Sequence, residues 1–340
     1  MQYRMTRSAA LLCSLTICSL AAAPAMSEDD GEQTRVTSIS DMILYGVDSR
    51  SHELIRYDFG TDRLASVGQV QLDDGTVVHG IESLAYIPGR PYLFAVWNYD
   101  DTSGKSKLIT INLFTAQAAA YQFDTGSANI QGMVAVNLEG QDANRGHGND
   151  CDGFDEDNRG NSNGVNENGM GHGAHSGCWR LFAVQDSGRG GRNQYSLISI
   201  NPDTGRASSV MSVSRAYTGL AAGDDLSLFA TEGNTLWALD VSNESEASVG
   251  SHILDDITAL TLAGGADDAY VDIPGFDDDL SIDGALFGFT GSDNTLTLFD
   301  KTTGEAVPYE SSLSDSTLDG IVVLTRHDDP KDGLARVAYD

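Results

Sequence analysis

The sequence predicts an all-β fold, a single β-propeller with five four-stranded blades and a ring closed by the C-terminal strand. Three observations support this prediction. A pair of short strands recurs five times, a third strand precedes only four of these pairs, and the missing copy of that third strand lies at the far end of the chain. Self-similarity of this kind is typical of a repeat architecture.

The recurring pair consists of an apolar strand, a polar turn and a second strand that runs into another turn. The first strand reads LYGV at 44–47, LFAV at 93–96, LFAV at 181–184, LFAT at 228–231 and LFGF at 286–289. The second strand with its turn reads LIRYDFGTDR at 54–63, LITINLFTAQ at 108–117, LISINPDTGR at 197–206, LWALDVSNES at 236–245 and LTLFDKTTGE at 296–305. Apolar residues that alternate with polar ones before Asp, Asn or Gly are typical of a half-buried strand that enters a turn.

A third, innermost strand comes before four of the pairs, where a polar and a small residue precede an apolar run. It reads IESLAYI at 81–87, IQGMVAV at 130–136, YTGLAAG at 217–223 and ITALTLA at 257–263. The first pair has no such strand upstream, but LDGIVVL follows the last pair at 318–324. A closed ring explains this displacement, because the C-terminal strand then completes the first blade and hides the edges that an open stack would expose.

Other arrangements explain less. Stretches such as 64–72 and 207–213 supply a fourth strand for each blade. An open β-sandwich or a two-domain β protein would leave the displaced strand at 318–324 unexplained. Six blades stay open as an alternative, because residues 137–178 have room for irregular strands.

Two motifs, LYGVD at 44–48 and LISINPDTGR at 197–206, give the chain a resemblance to a broad group of secreted bacterial propellers. Their repeats combine a leu-tyr-gly-val-asp strand with a leu-x-x-ile-asp-x-x-thr-gly turn, and the match covers about residues 42–325. The turns NLFTAQ and DVSNES depart from this pattern. The resemblance implies a propeller and export. It carries over no catalytic residue, because many members have no assigned activity.

Residues 1–25 are predicted to be a signal peptide. Arg4 and Arg7 give a basic start, an apolar run follows, and Ala23-Pro24-Ala25 has the small residues of a cleavage site. The run is short for a membrane span. We therefore expect a periplasmic or secreted protein with no membrane span after cleavage. Its expected parts are an N-terminal tail (26–41), the propeller (42–325, with an insert at 137–178 and an acidic loop at 265–284) and a C-terminal tail (326–340).

The charge balance limits the partners. The chain carries 20 Lys and Arg residues against 50 Asp and Glu residues, a formal net charge of −30 at pH 7. Nucleic acids and anionic membranes require a basic face. We expect a small ligand or an extracytoplasmic protein as the partner, and no nucleic acid.

The insert at 137–178 contains cysteines and histidines. Cys13 and Cys18 leave with the signal peptide, so Cys151 and Cys178 are expected to form a disulfide in an oxidising compartment. A flexible insertion stapled by this disulfide accounts for the segment. The alternative is a copper, nickel or zinc site, built from His147, His172 and His175.

The acidic loop at 265–284 is a candidate calcium site. Carboxylate oxygens are the ligands that Ca²⁺ prefers, and the ion would offset their mutual repulsion. The candidate ligands are Asp277, Asp278, Asp279 and Asp283. Solvated charge on a long loop is the alternative.

One mouth of the central channel is expected to be acidic. The second residue of each innermost strand should face it, which places there Glu82, Gln131, Thr218, Thr258 and Asp319. Loops after the neighbouring strands bring Asp48 and Asp186 to the same mouth. Grouped carboxylates bind a cation, raise the pKa of one member or stay hydrated.

The sequence therefore predicts a binding or scaffold module, stabilised by calcium, rather than an enzyme. Two alternatives stay open. One is a transition-metal protein that uses the three histidines. The other is an extracytoplasmic hydrolase, lyase or lactonase that uses Glu82, Asp319, Asp48 and Asp186.

Overall fold

A computed structural model describes most of the propeller. The described residues are 39–100, 105–122, 124–125, 129–138, 179–186, 194–223, 226–252, 254, 257–262, 286–309, 311–326 and 329–331. They belong to one compact unit, Thr34–Asp340. Among them the regular elements are β-strands and two short 3-10 turns, Ile39–Asp41 and Ser312–Asp315. No helix in this part of the chain is long and apolar enough to cross a membrane.

The strands follow one another along the chain in repeating sets. The first set is β1 (Met42–Asp48), β2 (Glu53–Asp58), β3 (Arg63–Gln69) and β4 (Gln71–Leu72). The second is β5 (Ile81–Ala85), β6 (Tyr92–Asp100), β7 (Lys105–Asn112) and β8 (Gln117–Ala120). The third is β9 (Ile130–Asn137), β10 (Trp179–Asp186), β11 (Tyr195–Ile200) and β12 (Ala207–Val213).

The remaining strands complete the pattern. The fourth set is β13 (Gly219–Ala222), β14 (Ser227–Glu232), β15 (Thr235–Asp240) and β16 (Ser245–Ser251). The fifth is β17 (Ile257–Leu262), β18 (Leu286–Thr290), β19 (Leu296–Phe299) and β20 (Ala306–Tyr309), and β21 (Leu318–Thr325) follows alone.

These strands form five sheets, which are the blades. From the inner to the outer edge, blade 1 is β21-β1-β2-β3, blade 3 is β9 to β12, blade 4 is β13 to β16, and blade 5 is β17 to β20. Blade 2 is β5-β6-β7-β8, and the two-residue β4 adds parallel to β8 at its outer edge. The predicted five-bladed propeller is confirmed.

The ring closes through β21, as the sequence predicts. This strand lies antiparallel to β1, with Met42 opposite Thr325 and Gly46 opposite Ile321. The end of the propeller is therefore hydrogen-bonded to its beginning. Because β21 is the inner strand of blade 1, no unpaired edge of β1 is left between the first blade and the last.

The cores lie between neighbouring blades, which explains why the LYGV-type strands are apolar throughout rather than alternating. Successive residues of β1 point to opposite faces of their sheet. Ile43 and Tyr45 pack in the core shared with blade 2, whereas Met42 and Leu44 pack in the core shared with blade 5. Every residue of β1 is consequently buried.

Small residues allow the inner strands to approach one another. The third residue of each innermost segment is Ser83, Gly132, Gly219, Ala259 or Gly320. A Cβ atom at Gly219 would lie 2.7 Å from the Leu260 Cβ of the next blade. Likewise, a Cβ at Gly320 in blade 1 would lie 3.0 Å from the Leu84 backbone nitrogen in blade 2. These positions form the waist of the central channel.

Candidate functional site

The central channel is the candidate site. Its wall consists of the five inner strands β21, β5, β9, β13 and β17, each of which contacts the next around the ring. The waist divides the channel into two ends. The part of the channel at the beginnings of the inner strands, around Glu82 and Asp319, is called the acidic end. The part beyond the waist, which the later residues of the same strands line, is called the apolar end.

Asp319 and Glu82 occupy the second position of their inner segments and interact electrostatically at the acidic end. Asp319 is half-buried. Burial, and after it the negative charges of Glu82 and Asp48, raise the pKa of the Asp319 carboxyl to about 6. All three residues therefore belong to one electrostatic cluster. A carboxyl in such surroundings exchanges its proton near neutral pH or attracts a cation.

Asp48 has a different role from Asp319, although both are acidic residues at strand ends. Its Oδ1 atom accepts from the Ser51 nitrogen at 2.7 Å and from the Arg50 nitrogen at 3.0 Å. Its Oδ2 atom accepts from the Thr317 nitrogen at 3.1 Å. Burial alone would raise the pKa of Asp48, but these hydrogen bonds lower it below the ordinary value. Asp48 holds the β1–β2 turn and ties it to the segment before β21.

Threonines at the acidic end join one blade to the next. The Thr218 hydroxyl donates to the Ile257 carbonyl at 2.5 Å, and the Thr258 hydroxyl donates to the Leu318 carbonyl at 3.2 Å. In both cases the acceptor is the first residue of the next inner strand. Between blades 2 and 3 the corresponding carbonyl, that of Ile130, accepts from Asn98 Nδ2 at 3.2 Å.

A small cavity of about 10 Å³ lies beside the waist at this end. It is lined by residues of all five blades, among them Glu82, Ser83, Thr218 and Thr258. Ser83 is buried, with 4% of its surface exposed, and its hydroxyl has no hydrogen-bond partner within the described part of the chain. The space suits one water molecule or one ion.

The other predicted site residues are Asp186 and the members of the two predicted metal sites and the predicted disulfide. Asp186 ends β10, is half-buried, and is not among the charges that shift the pKa of Asp319. The other predicted metal ligands and cysteines lie outside the described residues: Asp277, Asp278, Asp279, Asp283, His147, His172, His175, Cys151 and Cys178. Within the described ranges no group of three or more His, Cys, Asp or Glu side chains converges as a metal site.

The apolar end contains a larger cavity, of about 80 Å³. Every blade contributes at least one large apolar side chain to its wall, among them Leu84, Met133, Leu220, Leu260 and Val322. The lining residues that the structure describes carry no charge. Tyr86 and Trp179 also line the cavity. Apolar walls with few polar groups are typical of small-molecule sites in proteins.

Sequence reasoning missed the apolar end as a site. The signal was present in the apolar runs of the innermost strands, such as MVAV at 133–136 and IVVL at 321–324. Most residues of these runs are buried. Trp97, Trp179 and Trp237 pack against the cores between blades.

Comparisons with known proteins identify no family. No family model matches the chain, and no curated protein matches it. A chain in a solved structure titled "Crystal structure of Nidogen/Laminin Complex" is similar, with a TM-score of 0.44 at 9% sequence identity. The similar region covers 83% of this chain and 98% of that one.

Proposed function

We propose that this protein is a binding module that holds a small, uncharged, apolar ligand in the apolar end of its channel. The observation that carries the proposal is the cavity of about 80 Å³ with walls from all five blades and no charge on its described lining residues. The inner strands are held by antiparallel ladders and by ring closure, so the cavity is formed before a ligand arrives. Preorganisation of this kind favours binding.

The chemistry of the wall defines the ligand. Burial of apolar surface is the favourable contribution that such a wall offers, at about 25 cal/mol per Å² removed from water. An ionised ligand would lose its hydration without gaining a partner. A formal charge of −30 further disfavours anions. The volume accommodates a single ring or a short aliphatic chain rather than a polymer.

The rest of the described surface has few exposed apolar side chains to which an apolar ligand could bind. Leu64, on the outer strand of blade 1, is 38% exposed and is the one large apolar side chain classed as exposed in the described residues. Since an apolar patch needs several neighbouring side chains, an isolated leucine does not form one. The apolar end of the channel is therefore the best binding site for an apolar ligand.

We rank a hydrolase, lyase or lactonase second. Asp319 and Glu82 have the charge coupling that an acid–base pair needs, and the raised pKa of Asp319 suits a general acid. The cavity beside them, however, holds about one water molecule. Asp48 is already engaged by the backbone of its turn. The predicted export, disulfide and calcium-binding loop fall on residues outside the described ranges and stay predictions.

Titration calorimetry with benzene, a neutral apolar ligand of one ring, tests the proposal. The full mature chain is compared with Ala222→Phe, which fills the apolar end, and with Leu64→Ser, which removes the exposed leucine elsewhere. We expect Ala222→Phe to weaken benzene binding at least about tenfold and Leu64→Ser to leave it unchanged. Equal affinity in all three proteins, with unchanged melting curves, would refute the proposed site.

A further inference from the structure

One polar side chain in the wall of the apolar end breaks the pattern of the repeat. The fifth residue of the innermost segment is apolar in four blades and polar in one: Ala85, Val134, Ala221, Val322 and, in blade 5, Thr261. Thr261 is 7% exposed and lines the cavity of about 80 Å³. Because the other four blades form with an apolar residue at this position, the fold itself does not require a hydroxyl there.

The protein engages the Thr261 hydroxyl only weakly. Its Oγ1 atom accepts from the Val323 nitrogen at 3.5 Å and donates to the Leu262 carbonyl at 3.5 Å. Both distances are long, since good hydrogen bonds of these kinds measure about 2.7–3.0 Å. A hydroxyl oxygen has two lone pairs, and the Val323 nitrogen uses one of them. A ligand in the cavity can therefore donate a hydrogen bond to the other.

The blades opposite Thr261 supply aromatic side chains. The inner strands contact one another in the order β21, β5, β9, β13, β17 and back to β21, so blades 2 and 3 stand opposite blade 5. These two blades contribute Tyr86 and Trp179 to the lining of the cavity. Aromatic side chains pack favourably against another ring in offset or edge-to-face geometry. The cavity thus combines two aromatic side chains with a single weakly bonded hydroxyl.

We propose that the apolar end selects a phenol, a neutral aromatic ring with one hydroxyl, and that Thr261 recognises this hydroxyl. The inference rests on the proposed function, because it assigns the ligand class of the same cavity. The ligand O–H donates to Thr261 Oγ1, and the ring contacts the apolar and aromatic wall. A phenol hydroxyl, like that of tyrosine, has a pKa of about 10, so the ligand is uncharged at pH 7. A site that hydrogen-bonds a hydroxyl discriminates against an analogue without it.

Titration calorimetry with phenol and toluene on the full chain tests this assignment. The two ligands are nearly equal in size, but toluene carries a methyl group where phenol carries its hydroxyl. Thr261→Val makes the same exchange in the protein. We expect this variant to bind phenol at least about fivefold more weakly than the parent, through loss of one hydrogen bond. It should bind toluene as tightly as the parent or more tightly.

Two further variants are the controls. Thr297→Val is the matched control, because Thr297 is fully buried in β19 of the same blade and lies outside the described lining of the cavity. Its affinities for phenol and toluene should equal those of the parent. Thr261→Ser keeps the hydroxyl and should bind phenol more tightly than Thr261→Val does. Melting curves of each variant show that the fold is retained.

A crystal of the native chain soaked in phenol gives a measurement that needs no variant. The phenol oxygen should lie about 2.8 Å from Thr261 Oγ1. The inference alone is overturned if that oxygen lies elsewhere in the cavity, or if Thr261→Val weakens phenol no more than toluene. If the parent binds neither ligand, the proposed function fails as well.

Discussion

The Asp329 carboxylate is fully buried against Arg56, whose Nη2 atom donates to Asp329 Oδ2 at 2.9 Å. The Arg56 Nε atom donates to the same oxygen at 3.1 Å, and the Tyr45 hydroxyl donates to Asp329 Oδ1 at 3.0 Å. Asp329 comes four residues after β21, whereas Tyr45 and Arg56 belong to β1 and β2. The chain beyond the last strand is thus fastened to the first blade, which reinforces ring closure.

Asp329→Asn should destabilise the propeller by about 3 kcal/mol, because loss of one partner leaves the other charge incompletely compensated in a buried setting. Arg56 retains Asp58 at 3.7 Å, which keeps the loss at the low end for a broken buried pair. Urea denaturation measures the change. Asp240→Asn, at an exposed turn, should change stability little, and equal losses in the two variants would contradict this role for Asp329.

Asp58 should make stability depend on acid pH. Burial alone would raise its pKa, but the hydrogen bond and charge of Arg326, helped by the Thr61 nitrogen, lower it below the ordinary value. A carboxyl with a lowered folded-state pKa stabilises the protein above its unfolded-state pKa of 3.8, and this contribution fades as the pH falls through the folded-state pKa.

Asp58→Asn should therefore destabilise the protein by about 2 kcal/mol at pH 7. The difference from the parent should shrink as the pH drops below about 4. Urea unfolding of both proteins between pH 7 and pH 3 measures this convergence. A difference that is constant across the range would show that the charge on Asp58 does not contribute.

Gly219→Ala should destabilise the waist by about 2 kcal/mol, because the new methyl group forces the inner strands of blades 4 and 5 apart. Its Cβ would lie 2.7 Å from the Leu260 Cβ and 2.9 Å from the Leu260 nitrogen. Ser83→Ala is the control at the corresponding position of blade 2, where a Cβ is already present. Thermal melting in chelator should show a loss for the first variant and none for the second.

Ring closure could be predicted from the sequence because it depends on a count of strands. The first pair lacks an upstream partner, and LDGIVVL at 318–324 supplies it. The position of Glu82 and Asp319 at one end of the channel follows from the same repeat. Both features are properties of the pattern, so no side-chain detail was needed.

Other features depend on contacts that no pattern encodes. Asp48 and Asp319 look alike in sequence. Asp48, however, accepts hydrogen bonds from backbone nitrogens, whereas burial and neighbouring negative charges raise the pKa of Asp319. Asp329 lies in the predicted C-terminal tail, and only packing brings it to Arg56. The apolar end was missed because a residue that lines a cavity and one that fills a core have the same composition.

The most direct test of the central claim is a crystal structure of the protein under xenon pressure, since xenon enters preformed apolar cavities without forming polar contacts. The proposed binding module predicts xenon density at the apolar end, between Leu220, Leu260 and Val322. Density elsewhere with none among these three residues would contradict the claim that this end is a ligand site.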